Sequence, residues 1–327
     1  MPTSNGITSR MLRAAAWALG GVILVLTLWV GALAMGDELP AALAAPPIAA
    51  APAVTSSPQA DQPPTNIEPS FVPGDAYQWQ VLPAGVIYHS YLAGTKEPRF
   101  ASQFEYIRGQ GWNWDTVLGG RVALIRYGTE DSSHPQGWEF DMAGATFPRL
   151  NLERAEQVTS NDYNISAPLT YGYGNYQMKF SYYHICSHLG DWYLVDNPNV
   201  SPDKYVRNAF QWGHSYYWTD DLRLYGEAGW AFACNGGAEP WEFQFGIEYS
   251  PARPTGFRPV PFFAINSDLR QELNFGGNVC VETGYQWRGP TNHLFRIGLQ
   301  YFAGKSDQYE FYDQYEERVG MGLWFDY

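Results

Sequence analysis

The chain has 327 residues, of which 17% are aromatic and only 16% charged, with a formal net charge of −13. Soluble domains average nearer a quarter charged, which disfavours a Lys/Glu-coated helical protein, and so acidic a chain lacks the basic patch that a nucleic-acid partner requires. Mean hydropathy is slightly negative; this argues against a polytopic helical membrane protein and suits a transmembrane β-barrel, whose lumen residues dilute its lipid-facing ones.

In chain order, Arg10 and Arg13 come first, at the start of the apolar run AAAWALGGVILVLTLWVGALAMG, and Ala32-Leu33-Ala34 fits an A-x-A cleavage site. Residues 1–34 therefore read as a signal peptide. The run exceeds the usual apolar core of a signal, so an uncleaved anchor is the alternative. Residues 35–70 are rich in Ala, Pro, Ser and Gln and read as a disordered tether. In 71–99, Pro83, Gly85, Tyr88 and Gly94 point to an ordered, irregular segment, expected to plug a lumen or to cover its mouth.

From residue 100 onward, period-two alternation recurs in about twelve segments, an even number as barrels require. These are 100–108, 117–127, 137–148, 160–171, 175–189, 204–218, 221–234, 240–250, 258–267, 274–288, 292–303 and 316–327. In the last, Val319, Met321, Leu323, Phe325 and Tyr327 alternate with Arg318, Gly320, Gly322, Trp324 and Asp326. The expected fold is an all-β, transmembrane, antiparallel up-and-down barrel over residues 100–327. Short turns at 172–174, 219–220, 251–255 and 289–291 mostly alternate with longer connections at 190–203, 235–239 and 304–315. If the last strand ends in the periplasm, the connection 190–203 is external. Arg223, Glu227, Glu282, Arg288, Arg296 and Arg318 fall on lumen faces, where charges pair with one another or line a pore.

Segment 175–189 contains SYYHICSHL. Tyr176, Met178, Phe180, Tyr182, His184, Cys186 and His188 share one face, which begins apolar and should meet lipid; Gln177, Lys179, Ser181 and Ser187 share the lumen face. A tight turn near 172–174 places Asn161 opposite Cys186, and Asn208 follows on the next strand. A base, a nucleophile two residues on and an orienting amide form the logic of nucleophilic catalysis: His184 activates Cys186, and Asn161 or Asn208 fixes the imidazole. A metal reading groups His184, Cys186 and His188, with Asp191 as a further ligand; same-face positions nearly 7 Å apart would need a bend to share one ion. The bland alternative is an interfacial girdle of Tyr, His and Trp. Cys186, Cys234 and Cys280 form neither a disulfide framework nor a CxxC site, and no cofactor is implied.

The His-x-Cys triplet and its placement resemble the His-x-Ser site of outer-membrane phospholipase A and of the lipid A deacylase barrels, with cysteine where those have serine. Over a longer reach, VLPAGVIYHSYLAGTKEPRFASQ at 81–103, YYHICSHLGDWYL at 182–194, LRLYGEAGWAF at 222–232, FFAINSDLRQELNFGGN at 262–278 and GLQYFAGKSDQYEFYDQYEERVGMGLWFDY at 298–327 resemble the uncharacterised bacterial domain of unknown function numbered 1207. That resemblance implies an exported barrel of the outer membrane of a Gram-negative-type bacterium, with membrane lipid around it and the barrel-assembly machinery as its partner in biogenesis. It assigns no activity. Three readings follow: a structural or anchoring barrel, an outer-leaflet lipid acyl (carboxylic ester) hydrolase, and a small-solute channel.

Overall fold

The computed structural model describes residues 77–131 and 134–327; the signal-peptide and tether readings of 1–34 and 35–70 lie outside the described residues. The strands are β1 (Gln78–Val81), β2 (Phe100–Ile107), β3 (Gly111–Gly128), β4 (Gly137–Asn151), β5 (Gln157–Tyr173), β6 (Tyr176–Leu189), β7 (Val206–Thr219), β8 (Leu222–Asn235), β9 (Trp241–Tyr249), β10 (Val260–Arg270), β11 (Gly276–Arg288), β12 (Leu294–Lys305) and β13 (Tyr315–Asp326). One short helix, α1 (Asp191–Asp196), follows β6. Each strand from β2 to β13 pairs antiparallel with the next, and β13 pairs back onto β2 from Phe325↔Phe100 to Arg318↔Ile107. The result is a closed twelve-stranded barrel, with β1 as an additional short strand on β3.

Alternation in the sequence becomes inside and outside in the wall. On β13, Val319, Met321 and Leu323 are exposed, whereas Glu316, Arg318, Trp324 and Asp326 are buried. Exposed Phe, Trp, Tyr, Leu, Ile and Met side chains continue around the outer wall. An apolar surface of that extent would drive aggregation in water; facing hydrocarbon it is what a membrane-spanning wall requires.

β1 and β2 occupy one position in the wall. Both lie on the same edge of β3, β2 along 111–118 and β1 along 125–128. Between them the chain turns into the lumen, where Val86, Ile87, Tyr88, Tyr91, Leu92 and Ala93 are at most 3% exposed. Backbone groups buried there need partners, and charged wall residues supply them. Ile87 N donates to Glu139 (2.9 Å) and Leu92 N to Glu248 (3.0 Å). Arg121 donates to Tyr88 O (2.6 Å), Arg223 to His89 O (2.9 Å) and Arg296 to Leu92 O (3.2 Å). Arg99, on the way back to the wall, pairs with Asp326 at 3.2 Å. Gly213 makes room for this segment: a Cβ there would lie 3.0 Å from the hydroxyls of both Tyr88 and Tyr91.

Many of the lumen charges also pair with each other. Glu227 meets Lys179 at 2.6 Å, Arg296 meets Glu282 at 2.5 Å, and Arg149 joins Asp115, Glu316 and Asp307. The interior cavities left around 82–99 measure only about 60, 50 and 20 Å³.

Two sequence expectations change. β3 begins at Gly111, six residues before the expected 117, because the Gly- and Asn-containing stretch 111–116 continues the ladder with β2. The turn expected at 251–255 is part of a connection that reaches β10 only at Val260, since Pro251 and Pro254 cannot donate to a ladder. That end of the barrel, which carries the C terminus, therefore holds a long connection among its short turns, and loop length is a weaker guide to orientation than the sequence suggests. The connection between β6 and β7 does lie at the opposite end.

Candidate functional site

β6 holds the phase expected of it. Gln177, Lys179, Ser181, Tyr183, Ile185 and Ser187 are buried inside, and Tyr182, His184, Cys186 and His188 lie on the outer face. Ser187, next to the cysteine, donates its hydroxyl inward to Asp162. On β6 the outer face therefore offers the thiol of Cys186 and no serine hydroxyl.

The cross-strand partner of His184 on β7 is Asn208. His184 Nδ1 lies 3.0 Å from Asn208 Oδ1, and the Tyr182 hydroxyl donates to the same oxygen at 2.9 Å. A carbonyl oxygen has two lone pairs and can only accept. Nδ1 is therefore the donor, and in the neutral imidazole Nε2 then presents its lone pair. That is the tautomer a general base needs, held by a third group, as in hydrolase triads. Tyr182 escapes a motif search because its part is played two residues before the histidine; its position on the same face is the available signal.

Cys186 is half-buried, opposite Tyr163 on β5 and Val206 on β7. Among the described residues, no hydrogen bond joins it to His184. Their backbones are separated by one same-face step of nearly 7 Å.

Asn161 is on the outer face but opposite His188, not Cys186. The β5–β6 turn is Gly174–Asn175, with Gly174 at φ +55° and Tyr173 paired to Tyr176. A turn centred one residue later than expected moves each cross-strand partner by two. Asn161 Oδ1 instead accepts from Thr146 Oγ1 (2.6 Å) and Phe147 N (3.1 Å), tying β5 to β4. Of the two candidate orienters, Asn208 is the one brought to His184.

His188 packs its ring edge-on to Tyr163 at 5.8 Å. Asp191 is exposed in the first turn of α1, beyond the strand. Among the described residues, no group of three or more His, Cys, Asp or Glu side chains is arranged to hold a metal ion; His184 is engaged with Asn208, and His188 is two same-face steps further along the strand. Cys280 is wholly buried in the lumen, and Cys234 is exposed near the end of β8, beyond a bulge that sets it opposite Arg207.

The chain belongs to the family described as Protein of unknown function (DUF1207), whose model matches residues 57–327. No curated protein matches it. Among solved structures, outer membrane phospholipase A from Escherichia coli aligns with a TM-score of 0.46 at 10% identity, covering 70% of this chain and 89% of that one. A KdgM porin aligns with a TM-score of 0.40 at 10% identity, over 70% of this chain and 98% of the porin. These likenesses assign no chemistry to this chain.

Proposed function

We propose that this chain is a sealed barrel of a Gram-negative-type outer membrane that works on its outer wall, where Cys186 hydrolyses acyl esters of membrane lipid with His184 as base and Asn208 as orienter. The observation that carries this reading is the 3.0 Å contact of His184 Nδ1 with Asn208 Oδ1, which leaves Nε2 free on the face that also bears Cys186. Nε2 takes the thiol proton as Sγ attacks the ester carbonyl. The lysolipid alcohol then leaves with that proton, and a thioester remains. Water, deprotonated by the same nitrogen, cleaves the thioester, releases the fatty acid and restores the thiol.

The packed lumen favours this reading over a small-solute channel. Cavities lined by residues of 82–99 measure about 60, 50 and 20 Å³, each at most the size of a few waters and too small for a hydrated solute; a larger one of about 340 Å³, lined by Arg149, Phe311 and Glu316, does not touch that segment. The test uses purified barrel in mixed micelles with phosphatidylcholine and, separately, lipid A. Wild type should release fatty acid, Cys186→Ala should not, and Cys186→Ser should retain part of the activity. Equal release by wild type and Cys186→Ala would exclude the nucleophile; no release by wild type from either lipid would leave the structural or anchoring reading.

A further inference from the structure

The wall of the barrel has a gap. β2 pairs with β3 only as far as Phe100↔Leu118. β1 resumes at Val81↔Ile125, with Leu82 N donating to Leu124 O at 2.9 Å. The chain between them is inside the lumen, so among the described residues no strand lies beside the β3 edge at 119–123. A shallow apolar groove, broadly open on the outer wall, lies there, floored by Gly120 and Gly144 and bounded by Phe100, Val122, Met142, Ile165 and Tyr327.

The register carries the groove to the candidate site. Gly120 pairs with Gly144, Gly144 with Ile165, and Ile165 with His184, in one row across β3, β4, β5 and β6. Adjacent strands are about 4.8 Å apart, so Gly144 lies about 10 Å from His184 along that row. The two glycines set the depth of the groove. A Cβ at Gly120 would lie 3.0 Å from the Tyr327 ring. A Cβ at Gly144 would meet Asn164 O at 3.2 Å and otherwise nothing nearer than 3.9 Å; there the missing side chain leaves open space.

We propose that this groove seats one hydrocarbon chain of the lipid substrate and presents its ester to His184 and Cys186. The occupant follows from continuity: the groove is part of the apolar outer wall, whose surroundings are lipid, and its boundary is almost wholly hydrocarbon and aromatic. The assignment of a substrate chain, as distinct from any lipid chain, rests on the hydrolase reading above.

Two measurements separate the two claims. In the first, Cys186→Ala barrel is reconstituted in vesicles of phosphatidylcholine carrying a diazirine at the end of its palmitoyl chain; it is irradiated, and the adducts are mapped by mass spectrometry. They should concentrate on the groove residues Val122, Met142 and Ile165, and adducts spread evenly over wall positions such as Leu299 and Val319 overturn the groove. In the second, Gly144→Trp, which fills the groove, should lower the ratio of C16 to C6 ester hydrolysis about tenfold. An unchanged ratio in a folded, active Gly144→Trp barrel also overturns it. Groove-centred adducts without hydrolysis by wild type would sink the hydrolase reading alone. Hydrolysis with dispersed adducts would sink the groove alone. The crosslinking measurement needs no groove substitution, so it stands even where Gly144→Trp does not fold.

Discussion

His184 and Asn208 face each other across the β6–β7 ladder, Nδ1 to Oδ1 at 3.0 Å, on the outer wall of the barrel. In the proposed hydrolase Asn208 would act only through the imidazole, by fixing the ring and its tautomer. Asn208→Ala is therefore expected to lower kcat about 10- to 100-fold, less than loss of a general base itself, which costs about 10²–10⁴. Asn208→Asp keeps an acceptor and should lose less. KM should stay near the wild-type value for both, since a positioning residue contributes to the transition state rather than to uniform binding. Steady-state kinetics on mixed micelles provide the check; a rise in KM with kcat unchanged would remove Asn208 from this role.

Much of this wall is legible in the chain because a barrel strand separates two solvents. Lipid selects one set of alternate residues and the lumen the other, so the phase of β6 and the outward aim of His184, Cys186 and His188 can be read directly. Register is less accessible. A one-residue displacement of the Gly174 turn moved Asn161 from Cys186 to His188, and no local signal separates the two. Partners that meet inside the lumen are hidden altogether: Arg149 finds Asp307 and Glu316, more than a hundred residues away in the chain. The inward path of 82–99 shows only as irregular composition, and the gap it leaves in the wall has no sequence signature at all.

The interior segment accounts for the sealed lumen, and its removal has an electrical consequence. Wild-type barrel in a planar bilayer is expected to show no steady stepwise conductance. Replacing residues 83–98 with a short Gly/Ser linker removes Tyr88, Tyr91 and Leu92 from the lumen and should yield discrete conductance steps. An unchanged, silent trace from the folded deletion variant would show that this segment is not what closes the path.

Arg126 and Glu139 are each wholly buried and lie 2.5 Å apart, and both also hold the inward segment, through Ala84 O and Gly85 O on one side and Ile87 N on the other. Breaking a buried pair by removing one partner strands the other charge and typically costs about 3–5 kcal/mol. Arg126→Met is expected to destabilise the barrel by that order. The double substitution Arg126→Met/Glu139→Met should recover part of the loss, because no lone charge remains. Equilibrium urea unfolding in lipid vesicles, followed by tryptophan fluorescence, measures both.

Asp307 opens the connection between β12 and β13. Burial alone would raise its pKa, but Arg318, Lys96 and Arg149 outweigh that and hold its carboxyl below the usual carboxylate range. A depressed acid contributes stability that is present above its unfolded value, about 3.9, and is lost as pH falls through its folded value. Residues 306–314 should therefore hold from neutral pH to about pH 4 and loosen below it. Glu310 in the same connection shifts the opposite way, raised by burial, so the comparison with Asp307→Asn isolates the effect: that variant should be looser at neutral pH and change less on acidification. Hydrogen exchange of 306–314 between pH 7 and pH 3 checks it, and equal acid responses in the two proteins would contradict the assignment.

The three cysteines report independently on the wall. Cys280 is fully buried in the lumen, Cys234 is exposed near the end of β8, and Cys186 is half-buried on the outer face. A charged maleimide cannot enter hydrocarbon, and it reacts with a thiol only where water reaches it. In detergent micelles Cys234 should label first and Cys186 more slowly, while Cys280 should label only after denaturation. In lipid vesicles the Cys234 rate should persist and that of Cys186 should fall, because bilayer replaces mobile detergent over the face it shares with Tyr182 and His184. Single-cysteine variants resolved by intact mass give the three rates. If Cys186 labels in vesicles as fast as Cys234, bilayer does not cover that face.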